Sequence, residues 1–378
     1  MKAIINVLFK HFKLNTTIKK YFSTKIAPPT DRKIYTQDFF VDEYNEVMAY
    51  YPKIIEQIRN WDFIKNYHGL PDRYTNYMNW NVDVKDTKRM ATALFTLYSY
   101  KHLEKPANQT EDNLRKAAAM SWAFRMAEAS QLTIDDVLDN SLTRYMKPAW
   151  HKLEGTNTAI LDAFFVENAA YLILQEELLK HPQFWNIVRL LKEYYLMLVV
   201  GQYLDMRSIP FERSFELLKY RNIKGYYITN MPIRGSMYLA NIDNPDCHAK
   251  VEELLKISGE WIIIQNDYQE IFLSTSEYKK DRRDIQQGTN TWCLAKALEF
   301  ASESQMKALK ENYGKNDDES ARKIEQIYHD LKLDEIYLKI EQEYFEKVNS
   351  CLESLPGILP KSFFWNMMHI IKNEYMNG

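Results

Sequence analysis

The chain has 378 residues, 46% of them apolar and 26% charged, and a formal net charge of −2. That is enough apolar material for a large buried core, and the near-neutral balance gives no electrostatic reason to expect nucleic acid as a partner. Gly (10) and Pro (12) are scarce, so the composition favours helix over tight turns.

The first 30 residues hold six lysines and no Asp or Glu, with Asp31 the first acid. Ile5, Leu8, Phe9 and Phe12 recur at helical spacing against Lys10 and Lys13, the pattern of a mitochondrial transit peptide. A disordered basic N-terminus is the alternative. Residues 31–378 then read as a single all-α domain. No apolar run reaches 18 residues, so no membrane span is expected. Cys247, Cys293 and Cys351 are few, odd in number and far apart, with no CxxC pair. Neither a zinc site nor a disulfide framework is expected, and a reducing compartment fits.

From Tyr35 onward helical periodicity dominates. "MATALFTLYSYKHL", "AAAMSWAFRMAEASQLTIDDVLD", "AILDAFFVENAAYLILQEELL", "FWNIVRLLKEYYLMLVVGQYLDM" and "HAKVEELLKISGEWIIIQNDYQEIF" read as long helices, several apolar nearly all round and therefore interior. Turn signals fall at "NQTEDN", "LEGTNT", "NIDNPD" and "QQGTNT". "KENYGKNDDESARK" reads as a polar loop before two final helices, and no run of alternating strands is evident.

Two acidic stretches interrupt this apolar pattern. Asp135 and Asp139 lie four apart, roughly 5–6 Å between Cβ atoms on one helix face, with Asp136 beside them. Carboxylates so close need water or cations. Hard cations such as Mg²⁺ take oxygen ligands and bridge one or two carboxylates to substrate phosphates. Arg144, five residues on, is a natural phosphate partner. A solvated acidic turn is the bland alternative, weakened because these acids break an apolar helix. The second stretch places Asn266, Asp267, Glu270 and Ser274 as a line of oxygen ligands, followed by Lys280 and Asp284. Two such sets suggest a metal-filled cavity closing on a diphosphate.

At these residues the chain resembles the trans-isoprenyl diphosphate synthases, especially farnesyl diphosphate synthases. "DDVLDNSLTR" is similar to the family's first aspartate-rich motif with its trailing arginine, and "GQYLD" from Gly201 to its GQxxD motif. Lys224 in "NIKGYY" falls at a conserved lysine, "QNDYQE" at the second aspartate-rich motif, and Lys280 with "DI" at Asp284 at the family's downstream lysine and Asp-Ile pair. The resemblance implies an all-α bundle around a deep central cavity, about three Mg²⁺, and a homodimer. By the same resemblance Asp135, Asp136, Asp139, Asn266, Asp267, Glu270 and Ser274 would hold metal. Arg144, Lys224, Gln265 and Lys280 would hold the diphosphate, with Asp135, Asp139, Arg144 and Lys224 as the catalytic set.

The departures are selective. Asp86 stands where the family's lysine for isopentenyl diphosphate should be, with only Arg89 remaining, and the second of the paired arginines is Tyr145. An Asp would repel the phosphate. The basic C-terminal tail is replaced by "IKNEYMNG". The second motif, beginning Asn-Asp, looks like the NSE motif of class I terpene synthases. The whole chain therefore resembles insect-type terpene synthases derived from this prenyltransferase family. That implies ionisation of farnesyl diphosphate and release of a cyclic terpene. A prenyl diphosphate synthase, or a non-catalytic subunit of one, is the alternative. Ser130 and Gln131, five and four residues before Asp135, replace bulky residues that limit chain length in that family, and predict a deeper pocket. Aromatic faces stabilise cations by about 0.5–2 kcal/mol each. Trp122, Phe165, Tyr203 and Tyr227, with Phe124, Phe164, Tyr226 and Tyr268, are the candidate cavity wall.

Overall fold

A computed structural model describes residues 40–83, 90–206, 229–273 and 283–374. Lys224, Tyr226, Tyr227, Ser274, Lys280, Asp86 and Arg89, and the N-terminal 30 residues, lie outside them.

Among the described residues the regular structure is helical apart from one very short hairpin. Helix α1 (Val41–Asn60) buries Val47, Tyr51, Ile54 and Ile58, spaced three and four residues apart on one face. After the short α2 (Asp62–Lys65), Gly69 at φ 80 turns the chain into α3 (Leu70–Tyr77). This helix runs on as a π turn over Met78–Val82. Helix α4 (Ala91–Leu103) is buried almost all round.

Helix α5 (Glu111–Leu138) starts where Thr110 accepts the Asn113 N–H at 3.3 Å. Its 28 residues span about 42 Å. The run Ala117–Ala118–Ala119 is buried, and such small side chains let neighbouring helices approach closely. The principal neighbours of α5 are α4 and α7 (Thr156–Leu178). Between α5 and α7 lie a hairpin, β1 (Thr143–Arg144) with β2 (Lys147–Pro148), and the short α6 (Trp150–Glu154). Helix α8 covers Phe184–Met206, the bounds the apolar run predicts.

The second half comprises a helix α9 over 229–239, α10 (Pro245–Phe272), α11 (Asp284–Gln287), α12 (Trp292–Phe300), α13 (Glu303–Asn312), α14 (Asp318–Asp330), α15 (Leu333–Ser354) and α16 (Lys361–Glu374). The Asn244 side chain caps α10 by accepting the Asp246 and Cys247 N–H groups, and α10 packs along α15. All three cysteines are buried free thiols.

Two expectations need correction. The hairpin was invisible because its two turn residues, Tyr145 and Met146, adopt φ 54 and 60 without being Gly or Asn. The polar stretch from Lys310 is not all loop: α13 ends inside it and α14 begins inside it, capped by Asp317 accepting the Ser320 N–H at 2.8 Å. Beyond the stretch, α15 and α16 are the two final helices expected.

One close approach ties the halves of the bundle. A Cβ at Gly235 on α9 would lie 2.5 Å from Phe124 Cε2 and 2.7 Å from Cζ, and the Phe124 ring is fully buried on α5. Gly235→Ala is expected to cost about 1–3 kcal/mol, since a packed core cannot yield that space. Chemical denaturation of the variant measures it; an unchanged midpoint would show that the ring swings aside freely.

Candidate active site

The first acidic cluster forms where α5 ends. Asp135 is partly exposed, Asp136 is buried (3%), and Asp139 is exposed at the C-cap with its N–H on the Asp135 carbonyl at 2.9 Å. Asp135 and Asp139 are therefore one turn apart, as the spacing requires. The hairpin lays Arg144 across the cluster. Its Nε donates to Asp136 Oδ1 at 3.0 Å and Oδ2 at 3.1 Å, and its Nη2 donates to Asp136 Oδ1 at 2.6 Å and Asp135 Oδ2 at 3.0 Å. Burial disfavours the guanidinium charge, but the bonds to Asp136 and the charges of Asp136 and Asp135 outweigh it and raise its pKa.

The arrangement divides three acids that look equivalent in sequence. Asp136 is spent on holding Arg144 in place. Asp135 is partly and Asp139 largely exposed, a pair of carboxylates that suits Mg²⁺ carried in with a diphosphate. Among the described residues, no three carboxylate, His or Cys side chains converge as a ready-made metal site. One to two carboxylates completed by phosphate oxygens is the fit these residues offer.

On α10 the predicted line of ligands divides as well. Asp267 is 1% exposed, and its Oδ2 accepts the Trp292 N–H at 2.7 Å, at the first turn of α12. It anchors that helix through this oxygen. Glu270 Oε1 accepts the Arg283 and Asp284 N–H groups at 3.0 and 2.8 Å, which fixes the start of α11 and positions Asp284. Gln265 is buried, whereas the Tyr337 hydroxyl of α15 donates to Glu341 Oε1 at 3.0 Å. Asn266, one residue from Asp267 and so on a different face, is half-buried.

The expected aromatic wall is largely elsewhere. Trp122 is fully buried, with Nε1 donating to the Val47 carbonyl at 2.7 Å and its ring 4.6 Å from Tyr51, so it belongs to the core. Phe165 stacks on Tyr74 at 3.4 Å and approaches Trp61 at 6.4 Å, on the side facing α3. Tyr268 stacks on Tyr337 at 3.7 Å, Phe124 is core, and Phe164 and Tyr203 are exposed. Gln131 is half-buried, while Ser130 is 1% exposed with its Oγ 3.4 Å from the Tyr195 hydroxyl. The space expected there is thus occupied from α8.

One residue escaped the sequence reading. Arg125 on α5 has no exposure at all. Its Nη2 donates to the Asn81 carbonyl at 2.8 Å, its Nε to the Val82 carbonyl at 3.2 Å, and its Nη1 to Glu128 Oε2 at 3.0 Å. The guanidinium carbon lies 5.9 Å from the Tyr145 ring centroid. Arg125 thereby joins the π turn, α5 and the Arg144 hairpin. Its signal was present, since a cation breaks an apolar helix face as the acids do.

Comparison with known proteins follows the same lines. The polyprenyl synthetase family model matches residues 76–331. The chain is 26% identical over 344 residues to cattle (Bos taurus) farnesyl pyrophosphate synthase, covering 86% of this chain and 95% of the relative. It is 30% identical over 307 residues to the farnesyl pyrophosphate synthase of Saccharomyces cerevisiae, covering 77% and 86%. In fold it is similar to T. brucei farnesyl diphosphate synthase complexed with homorisedronate, with a TM-score of 0.80 at 20% identity over 88% of this chain and 99% of that one.

Proposed function

Because this chain belongs to the polyprenyl synthetase family, we propose that it is a magnesium-dependent enzyme that ionises an allylic prenyl diphosphate. We further propose that it does so as a class I terpene synthase, with farnesyl diphosphate as substrate. The observation that carries the first part is the Asp135–Arg144–Asp136 cluster. Two solvent-facing carboxylates (Asp135, Asp139) stand beside a guanidinium already oriented by a buried third.

Bound Mg²⁺ would offset charge on the departing diphosphate. Asp135 and Asp139 would hold it, with Asn266 from α10. Arg144 orients the diphosphate by donating to its oxygens and Asp136 keeps Arg144 aimed, a preorganised electrostatic arrangement of the kind that lowers ionisation barriers. Lys224 and Lys280 add positive charge in this reading, and Ser274 a further oxygen.

The second part rests on what replaces the groups for isopentenyl diphosphate. The hairpin presents a single arginine, and the next residue, Tyr145, sets its ring against Arg125. The Arg125 donors are in turn engaged by two carbonyls and Glu128. Asp86 in place of a lysine points the same way. The relatives favour a second reading, a prenyl diphosphate synthase that condenses the allylic substrate with isopentenyl diphosphate, since the two quoted are farnesyl pyrophosphate synthases.

Calorimetric titration of isopentenyl diphosphate into the Mg²⁺-containing protein separates the two. The terpene synthase reading expects no saturable binding; saturable binding at micromolar concentration would establish the condensing enzyme. A homodimer is part of the proposal. Leu196, Val199 and Val200 form an exposed apolar stripe on α8 that a second copy would cover.

A further inference from the structure

We propose that Trp80 is a positioning residue: it grips the second strand of the β1–β2 hairpin and thereby holds Arg144 where a diphosphate is bound. This rests on the reading that Arg144 meets a prenyl diphosphate. The contact with the acidic cluster fixes only the guanidinium end of Arg144. It occupies Nε and Nη2, and among the described residues no acceptor meets Nη1. Where Nη1 points therefore depends on the backbone that carries it, and that backbone is a hairpin of two residues per strand.

A hairpin so short does not stand by itself. Its turn works against it, since Tyr145 and Met146 take left-handed conformations that a residue with a Cβ adopts only at a cost. Met146 is 90% exposed, so packing of its side chain does not offset that cost. The hairpin must be held from outside, and Trp80 holds it at two points. Its Nε1 donates to the Pro148 carbonyl at 3.1 Å, and Lys147 Nζ lies 5.0 Å from its ring centroid. In the strand register Lys147 is paired with Arg144 and Pro148 with Thr143, so a grip on β2 is a grip on the backbone of Arg144. The chain beyond β2 is tied down as well. Trp150, its ring 6.4 Å from that of Trp80, donates Nε1 to buried Asp162 of α7 at 2.8 Å.

The π turn serves this placement. The Asp83 N–H bonds the Met78 carbonyl five residues back at 2.8 Å. The turn ends there, so the Asn81 and Val82 carbonyls have no helical donor and accept Arg125 instead. The same five residues bury Met78 and Val82, bond Arg125 and bring Trp80 to the hairpin. Such turns are rare and recur at functional sites.

Calorimetric titration of inorganic diphosphate with Mg²⁺ into the wild type, Trp80→Ala, Arg144→Ala and the double variant tests this, with the melting temperature of each recorded alongside. Trp80→Ala is expected to weaken binding about tenfold, the scale on which losing a group that orients a ligand is felt. The variant is expected to fold, since Trp80 is only half-buried. In the Arg144→Ala background the same substitution is expected to change binding by about twofold or less, because Trp80 acts through Arg144. A merely structural role would weaken binding in both backgrounds by the same factor. Trp80→Phe keeps a ring beside Lys147 and loses the N–H, so it is expected to fall between Trp80→Ala and the wild type. It carries the same comparison if Trp80→Ala fails to fold. Unchanged binding in the folded variant, or an equal loss in both backgrounds, would overturn the positioning role alone. No binding of diphosphate by the wild type, or binding unaffected by Arg144→Ala, would overturn the reading of the site and the positioning role with it.

Discussion

Asp135→Ala is expected to lower Mg²⁺-dependent diphosphate release by about 10²–10³-fold, the scale on which a single group stabilising developing charge is felt, while leaving the fold nearly as stable. The two effects separate because of where the carboxylate sits. Its side chain is 34% exposed, and it shares Arg144 with Asp136 through one bond of 3.0 Å. A pair that open to water contributes about 0–1 kcal/mol. Asp136→Ala is the contrast. That carboxylate is buried and accepts three of the four Arg144 bonds, so its loss frees the guanidinium as well as weakening the hairpin. Parallel measurement of melting temperature and release rate distinguishes them. Retained turnover with normal Mg²⁺ dependence in Asp135→Ala would sink its assignment as a metal-holding residue.

The largest stability effect is expected at Arg125. Arg125→Met fits a chain of similar length into the same interior, yet it strips the donors from the Asn81 and Val82 carbonyls and from Glu128. Each of the two carbonyls left without a donor costs about 1–3 kcal/mol, while Glu128, whose side chain is 21% exposed, can be rehydrated. A loss of about 3–5 kcal/mol overall is expected. Arg125→Lys should recover only part of it, because an ammonium cannot span three acceptors in the plane a guanidinium does. Denaturant unfolding of both variants checks this. Equal stability of Arg125→Met and the wild type would mean that those carbonyls find other donors, and that Arg125 does not tie the π turn to α5.

The helices themselves were legible because their apolar periodicity is strong. The α8 bounds follow from a predominantly apolar run, and the run from His248 places α10, which starts three residues earlier at Pro245 behind the Asn244 cap. The Asp135, Asp136 and Asp139 cluster was legible for the same reason, since charge stands out against an apolar face. What was not legible was which way neighbouring residues on one helix point. Asn266 and Asp267 differ by one position, yet Asp267 turns into the interior to cap α12, twenty-five residues later in the chain. No local pattern encodes that partner. The aromatic wall failed likewise: helical spacing makes Trp122 interior without saying whether a core or a cavity lies beyond, and its bond to the Val47 carbonyl, seventy-five residues away, places it in the core. The hairpin was hidden by Tyr145 and Met146, which take left-handed backbone conformations that sequence rules reserve for glycine and asparagine.

The measurement that bears most directly on the central claim is product identity. Protein lacking the first 30 residues is incubated with Mg²⁺ and farnesyl diphosphate, with and without isopentenyl diphosphate, and the organic extract is resolved by gas chromatography and mass spectrometry. The account predicts a cyclic terpene formed without isopentenyl diphosphate and unchanged by its addition. A longer prenyl diphosphate, formed only when isopentenyl diphosphate is present, would contradict it and establish the condensing reaction named for the relatives.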